Sequence, residues 1–314
     1  MRILLAALAA IALIRPAFAD PIHSVSGHDG TIFALAFRPD GRQIATGGFD
    51  RTVRIWDAHS GAPIFTLYGH HAAVTAVAFS PDGKTLVSGD SDGNLMLWRP
   101  TQSNEPRRLE GHPNCVYAIA FHPSGGSFLT CSQERRVKVW RSSDGEMLKS
   151  FGLFSGPLYS LAVSPDGSRI AAAGRDGSIV VCDAATGRVQ RELTGHTGEV
   201  FSLAFTSGSR QLVSGSQDAT VRVWDIEAGQ EQYRLAGHRD AVYHASVAAL
   251  GQRLLTIGVS GQTVVWDTAS GAPLFSHRLP GPAHCGGFAP DGESVVVGTG
   301  RGEWFRLTLP ARAR

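Results

Sequence analysis

The chain has 314 residues, with 29 basic against 27 acidic side chains and a formal charge of +2 at neutral pH. It has neither a polybasic run nor an acidic tail, which argues against nucleic acid or an anionic membrane as the main partner. Its four cysteines are too few for a disulfide framework in a protein of this length.

Residues 1–19, MRILLAALAAIALIRPAFA, combine basic Arg2, an apolar run from Ile3 to Ile14 and an Ala17-Phe18-Ala19 end before Asp20. That order predicts a secretory signal peptide, and so a periplasmic or secreted protein from Asp20 onward. Arg15 and Pro16 stop the run short of the roughly 18 apolar residues a membrane span needs. No cysteine follows it to carry a lipid, and no later segment is apolar enough to span a membrane. Residues 20–314 form the remaining domain.

After the leader, the chain repeats. The first unit carries His28, Thr46, Asp50 and Trp56 and ends in a strand, GAPIFTLYG. The second, residues 67–98, brings His70, Ser88, Asp92 and Trp98. Its segments VTAVAF and KTLVSG are strands joined by Ser80-Pro81-Asp82-Gly83, where proline presets φ and glycine supplies the positive φ. The third has His112 and Trp140, with Glu134 in the aspartate position. Its Cys115 and Cys131 face each other only diagonally across a hairpin, a poor disulfide geometry. The fourth keeps Asp176 but has Phe154, Ala172 and Cys182 in the other three positions. The fifth restores His196, Ser214, Asp218 and Trp224, and the sixth has His238 and Trp266 with Ser260 in the aspartate position. The seventh keeps the turn Pro290-Asp291-Gly292 but lacks Gly-His and has no tryptophan at the usual place. The tryptophans fall 42 residues apart, with one gap of 84 where Cys182 replaces one. A fixed period of this length makes each unit one supersecondary element, here four short strands.

Gly-His, Pro-Asp-Gly, the turn aspartate and Trp-Asp recur in register, with full pairs at Trp56-Asp57, Trp224-Asp225 and Trp266-Asp267. These residues resemble the WD-repeat β-propeller family over essentially all of the chain after the leader. The resemblance implies an all-β, seven-bladed propeller in which PIHSVSGH supplies the last blade's missing strand. Ile22–Ser26 would then pair with Trp304–Leu309 and close the ring, leaving no open sheet edge at the junction.

Each His, Ser/Thr and Asp set also contains the side chains of a serine hydrolase triad. The family pattern implies a buried network instead, in which imidazole, hydroxyl, carboxylate and indole N–H satisfy one another. Repetition favours the network, since an enzyme needs one such site and a framework needs one per blade. The sequence has no phosphate-binding glycine loop, haem-attachment motif or zinc spacing, so no cofactor or metal is expected. His71, His122, His244 and His284 read as scattered surface or core residues.

One recurrence remains. In GEVFSLAF, residues 198–205, alternation puts Val200, Ser202 and Ala204 on one side and Phe201, Leu203 and Phe205 on the other. The Phe201 position recurs as Phe33, Thr75, Tyr117, Tyr159 and Tyr243, and the resemblance implies that it rings the mouth of the central channel. The position two residues earlier holds Thr31, Ala73, Cys115, Pro157, Glu199 and Ala241. The position before the turn aspartate holds Phe49, Ser91, Gln133, Arg175, Gln217 and Val259. Aromatic residues and arginine anchor protein interfaces, so Phe33, Phe49, Tyr117, Tyr159, Arg175, Glu199, Phe201 and Tyr243 are the candidate partner-binding face. The function expected is a non-enzymatic scaffold or accessory subunit for one or more protein partners. The alternative is an exported enzyme, or its substrate-binding module, working at the channel mouth. Glu199 alone supplies a carboxylate in these positions, whereas acid–base or metal hydrolysis needs converging groups.

Overall fold

The computed structural model describes residues 23–100, 103–152 and 154–310. The expected leader, and Ile22 of the expected closing strand, lie outside them. Within them 28 strands form seven four-stranded antiparallel sheets, the blades of a β-propeller, with no helix among the described residues. The innermost strands are Ile32–Phe37, Val74–Phe79, Val116–Phe121, Leu158–Val163, Val200–Phe205, Val242–Val247 and Ala283–Phe288, which define blades 1 to 7. Each packs beside the next, and the seventh beside the first.

Short strands and strict turns set this frame. The turn in blade 2 places Gly83 at φ 68°, its N–H bonded to Ser80 O at 2.8 Å. The Asp82 carboxylate accepts from the Ser80 hydroxyl and the Lys84 N–H. The core lies in the seams between blades rather than in one central mass. One cluster joins Ala171, Ile179 and Val181 of blade 4 to Val200, Leu203 and Phe205 of blade 5. Blade 7 has Ala283–Phe288, Ser294–Thr299 and Glu303–Thr308, and its outer strand is His23–Ser26 from the other end of the described chain. The pairing runs from His23 opposite Arg306 to Ser26 opposite Glu303.

Every innermost strand carries the same irregularity. The register with the second strand slips by one residue at Phe33, Thr75, Tyr117, Tyr159, Phe201, Tyr243 and His284. Each is the unpaired residue of a β-bulge, a device that re-aims one side chain. The bulge corrects the alternation expected for residues 200–205. Val200 shares the face and the buried cluster of Leu203 and Phe205, while Phe201 leaves that face altogether.

Candidate functional site

The polar networks come together blade by blade. In blade 1, His28 Nδ1 lies 2.9 Å from Asp50 Oδ1, and its Nε2 lies 2.7 Å from Thr46 Oγ1. The same oxygen accepts the Trp56 indole N–H at 2.8 Å. A carboxylate at Nδ1 holds the ring proton there, so Nε2 accepts the threonine hydroxyl and no group is left over. Blade 5 repeats the geometry, with His196 2.8 Å from Asp218 and 2.7 Å from Ser214, and Trp224 2.8 Å from Ser214. Burial lowers the His28 and His196 pKa values despite their carboxylates. Asp218 is also lowered: burial pushes it up, but hydrogen bonds from Thr220 and His196 outweigh that.

Blade 2 departs from expectation. Asp92 is exposed, and the carboxylate on His70 Nδ1 is Asp90, at 2.8 Å. Ser88 Oγ still lies 2.6 Å from His70 Nε2 and accepts from Trp98 at 2.8 Å. The reason lies at the equivalent position of blade 1, Gly48, where an added Cβ would sit 2.5 Å from His28 Nδ1. A side chain there points straight at the imidazole, so Asp90 displaces the turn residue. Its other oxygen is held by the N–H groups of Asp92 and Asn94.

Blade 3 keeps its network through Glu134, which bonds His112 and pairs with Lys138 at 3.1 Å. Blade 6 keeps only half: His238 Nε2 and Trp266 share Thr256 Oγ1, while His238 Nδ1 and Asp240 Oδ1 are buried without partners among the described residues. In blade 4, Phe154 packs against the apolar seam and Asp176 bonds Ser155 instead. Burial argues against a hydrolase role for these sets. The would-be nucleophiles Thr46, Ser88, Thr130, Ser214 and Thr256 have 0% exposure, so no substrate reaches them.

The seven bulge positions do converge. Tyr117 meets Tyr159 at 4.9 Å between ring centroids, Tyr159 meets Phe201 at 5.8 Å, and Phe201 meets Tyr243 at 4.8 Å. His284 then stacks on Tyr243 at 5.5 Å and reaches Phe33 at 6.0 Å. Six rings thus form one arc, interrupted at Thr75, whose hydroxyl bonds Val116 O at 2.6 Å. Edge-to-face and offset contacts at these distances are favourable, so the rings stiffen one another. All six remain half-buried rather than sealed into a seam. Burial pushes the Tyr117 hydroxyl up to about 12.

The other two positions of the face are tied to the arc through the backbone. The Phe49, Arg175 and Gln217 N–H groups bond the carbonyls of Thr31, Pro157 and Glu199 at 2.8, 3.0 and 2.8 Å. Phe49 is 64% exposed at this rim, and Arg175 lies 3.9 Å from Glu199 across the seam of blades 4 and 5. His284 was missed among the scattered histidines, yet a signal for it exists. It lies six residues before Pro290, as Phe33 lies six before Pro39 and Tyr159 six before Pro165.

All four cysteines are free thiols, Cys131, Cys182 and Cys285 buried and Cys115 partly so beside Thr75. Burial pushes Cys182 up to about 11 and Cys285 to about 12, away from thiolate chemistry. Among the described residues no group of three or more His, Cys, Asp or Glu side chains is placed to hold a metal ion.

Comparison with known proteins finds the same repeat. The family described as "WD domain, G-beta repeat" matches residues 19–57, 61–99, 103–141, 145–183 and 187–225, more than half of the chain. Protein Mut11 of Chlamydomonas reinhardtii is 50% identical over 40 residues, 13% of this chain and 11% of that protein. WD repeat-containing protein slp1 of Schizosaccharomyces pombe is 48% identical over 42 residues, 13% and 9% of the two chains. The Notchless protein homolog of Arabidopsis thaliana is 40% identical over 40 residues, 13% and 8%. Each match spans about a tenth of the relative's length, close to a single repeat.

Proposed function

The chain belongs to the WD domain, G-beta repeat family, and we propose that it is a non-enzymatic scaffold or accessory subunit binding a protein partner through the channel mouth. Its place of work in this reading is the periplasm or the exterior, reached after removal of residues 1–19. The observation that carries the reading is the arc of six half-buried rings in mutual contact with exposed Phe49 beside it. Mutually supported aromatic groups offer apolar area with little further entropy to lose, which suits interface anchors. The margin at Gln133, Arg175 and Gln217 is polar and exposed, the usual border of such a patch.

The test measures melting and partner affinity on the same proteins, the partner being taken by affinity capture from the exported fraction. Tyr117→Ala and Tyr243→Ala should each weaken binding by about 1–2 kcal/mol. Asp82→Ala and Asp166→Ala, in turns on the opposite face, should leave it intact. If the tyrosine variants melt early while their folded fraction binds normally, the rings serve only packing. Export is tested by intact mass: protein from its natural host should begin at or near Asp20.

A further inference from the structure

Blade 4 differs from blades 1, 3 and 5 in more than its missing histidine. On the third strand, Arg54, Lys138 and Arg222 stand opposite Thr46, Thr130 and Ser214, and each pairs with its own turn carboxylate, at 3.3, 3.1 and 3.8 Å. In blade 5 the Arg222 guanidinium spans two carboxylates, Asp218 in the turn and Glu231 on the outer strand at 2.5 Å. The equivalent position in blade 4 is Val180, opposite Ala172, and it is apolar too in blades 2 (Met96) and 6 (Val264). The turn carboxylate persists in blade 4. The position of Glu231 is Val189 here, but a different outer-strand carboxylate stands in the position of Arg234. Asp176 occupies the turn, and Glu192 on the outer strand lies directly opposite Val180.

The space that smaller side chains leave is open. A cavity of about 230 Å³ is lined by Phe154, Leu158, Asp176, Val180, Val189 and Glu192, among others. Asp176 accepts from the Ser155 hydroxyl and from the N–H and hydroxyl of Ser178, and no ion pair to it or to Glu192 occurs among the described residues. At about 30 Å³ per water in the liquid, the cavity has room for a group of about seven heavy atoms.

We propose that this cavity binds an alkylguanidinium group, carried by an arginine side chain of a partner or by a small free guanidine, in the role Arg222 plays within blade 5. A planar guanidinium can bond two carboxylates at once and lie against an aromatic face, here that of Phe154. Its alkyl stem would run over Leu158, Val180 and Val189. The cavity borders the rim at Arg175, which adjoins its Gly156 and Asp176, but neither reading needs the other.

The test titrates propylguanidinium chloride into the full chain and follows backbone amide NMR signals. Millimolar binding is expected, with shifts confined to Ser155, Gly156, Gly174, Ser178 and Val180. Glu192→Gln should weaken it about fivefold, as for an exposed charge pair. Val180→Arg should abolish it by placing the chain's own guanidinium in the space, and should not lower the melting temperature. A capped Gly-Arg-Gly peptide separates the two sources: binding like the small salt points to a protein-borne arginine, and failure beside a binding salt to a free guanidine. The proposal is overturned if n-butanol binds as tightly as the salt, if Val180→Arg binds it unchanged, or if no localised shift appears.

Discussion

Blades 2 and 4 share one 42-residue frame and solve its interior in opposite ways. Blade 2 draws its carboxylate inward, and Asp90 has 0% exposure beside a buried His70. Blade 4 dispenses with histidine, hydroxyl and indole together and leaves a cavity beside Phe154, Asp176 and Val180. Both blades still have four strands, the same bulge and the same pairing. Strand alternation and turn chemistry therefore make the blade, and the polar network adds stability to a frame already specified.

The largest effect that could break this contrast is at the two carboxylates. Asp90→Ala should destabilise by about 2–3 kcal/mol, because it leaves the buried His70 imidazole without its partner. Asp176→Ala in blade 4, where the carboxylate is exposed, should change stability by no more than about 0.5 kcal/mol. Urea unfolding of both variants measures the difference. Equal losses would mean that blade 4 holds a network of its own.

The fold was legible because its determinants are local and repeated: Gly-His, Pro-Asp-Gly and the tryptophan comb are spaced by the chain itself. The site was legible only in part. Asp92 was misassigned because turn register and side-chain direction conflict, and nothing in LVSGDSDG says which aspartate reaches the imidazole. The bulge at Phe201 is equally silent, since a one-residue slip leaves an apolar run that still reads as simple alternation. Pairwise ring contacts depend on how neighbouring blades approach, and each blade's own sequence carries no record of that.

A middle-sized effect sharpens the comparison. His196→Ala should lower stability by about 1–3 kcal/mol, since Asp218 and Ser214 lose their shared partner while Trp224 remains. Phe154→Ala, in the same position of blade 4, removes packing only. It should cost less than the about 3–5 kcal/mol of a fully buried phenylalanine, because Phe154 is half-buried. Rescue separates the two mechanisms: His196→Asn, which restores some hydrogen bonding, should recover part of the loss in blade 5. If it recovers none, the histidine acts by volume, as Phe154 does.

The smallest effect is one of pH. Burial, the largest cause in each case, pushes His112, His238 and His244 down to about 4, and His244 Nε2 has no partner at all among the described residues. A depressed histidine stays neutral in the folded chain while the unfolded chain takes up a proton below about pH 6.5. The stability it contributes is therefore complete above that value and is lost as pH falls toward 4. For one such group the loss between pH 7 and pH 6 is about 0.7 kcal/mol. Blade 4, residues 158–193, contains no histidine. Hydrogen exchange should show local opening in blades 3 and 6 growing easier over this range while blade 4 holds steady. His244→Gln should flatten the global pH dependence by about 0.7 kcal/mol over the same unit. An unchanged slope in that variant would mean that the imidazole reaches water, and equal acceleration in blade 4 would mean that the ring opens as one unit rather than blade by blade.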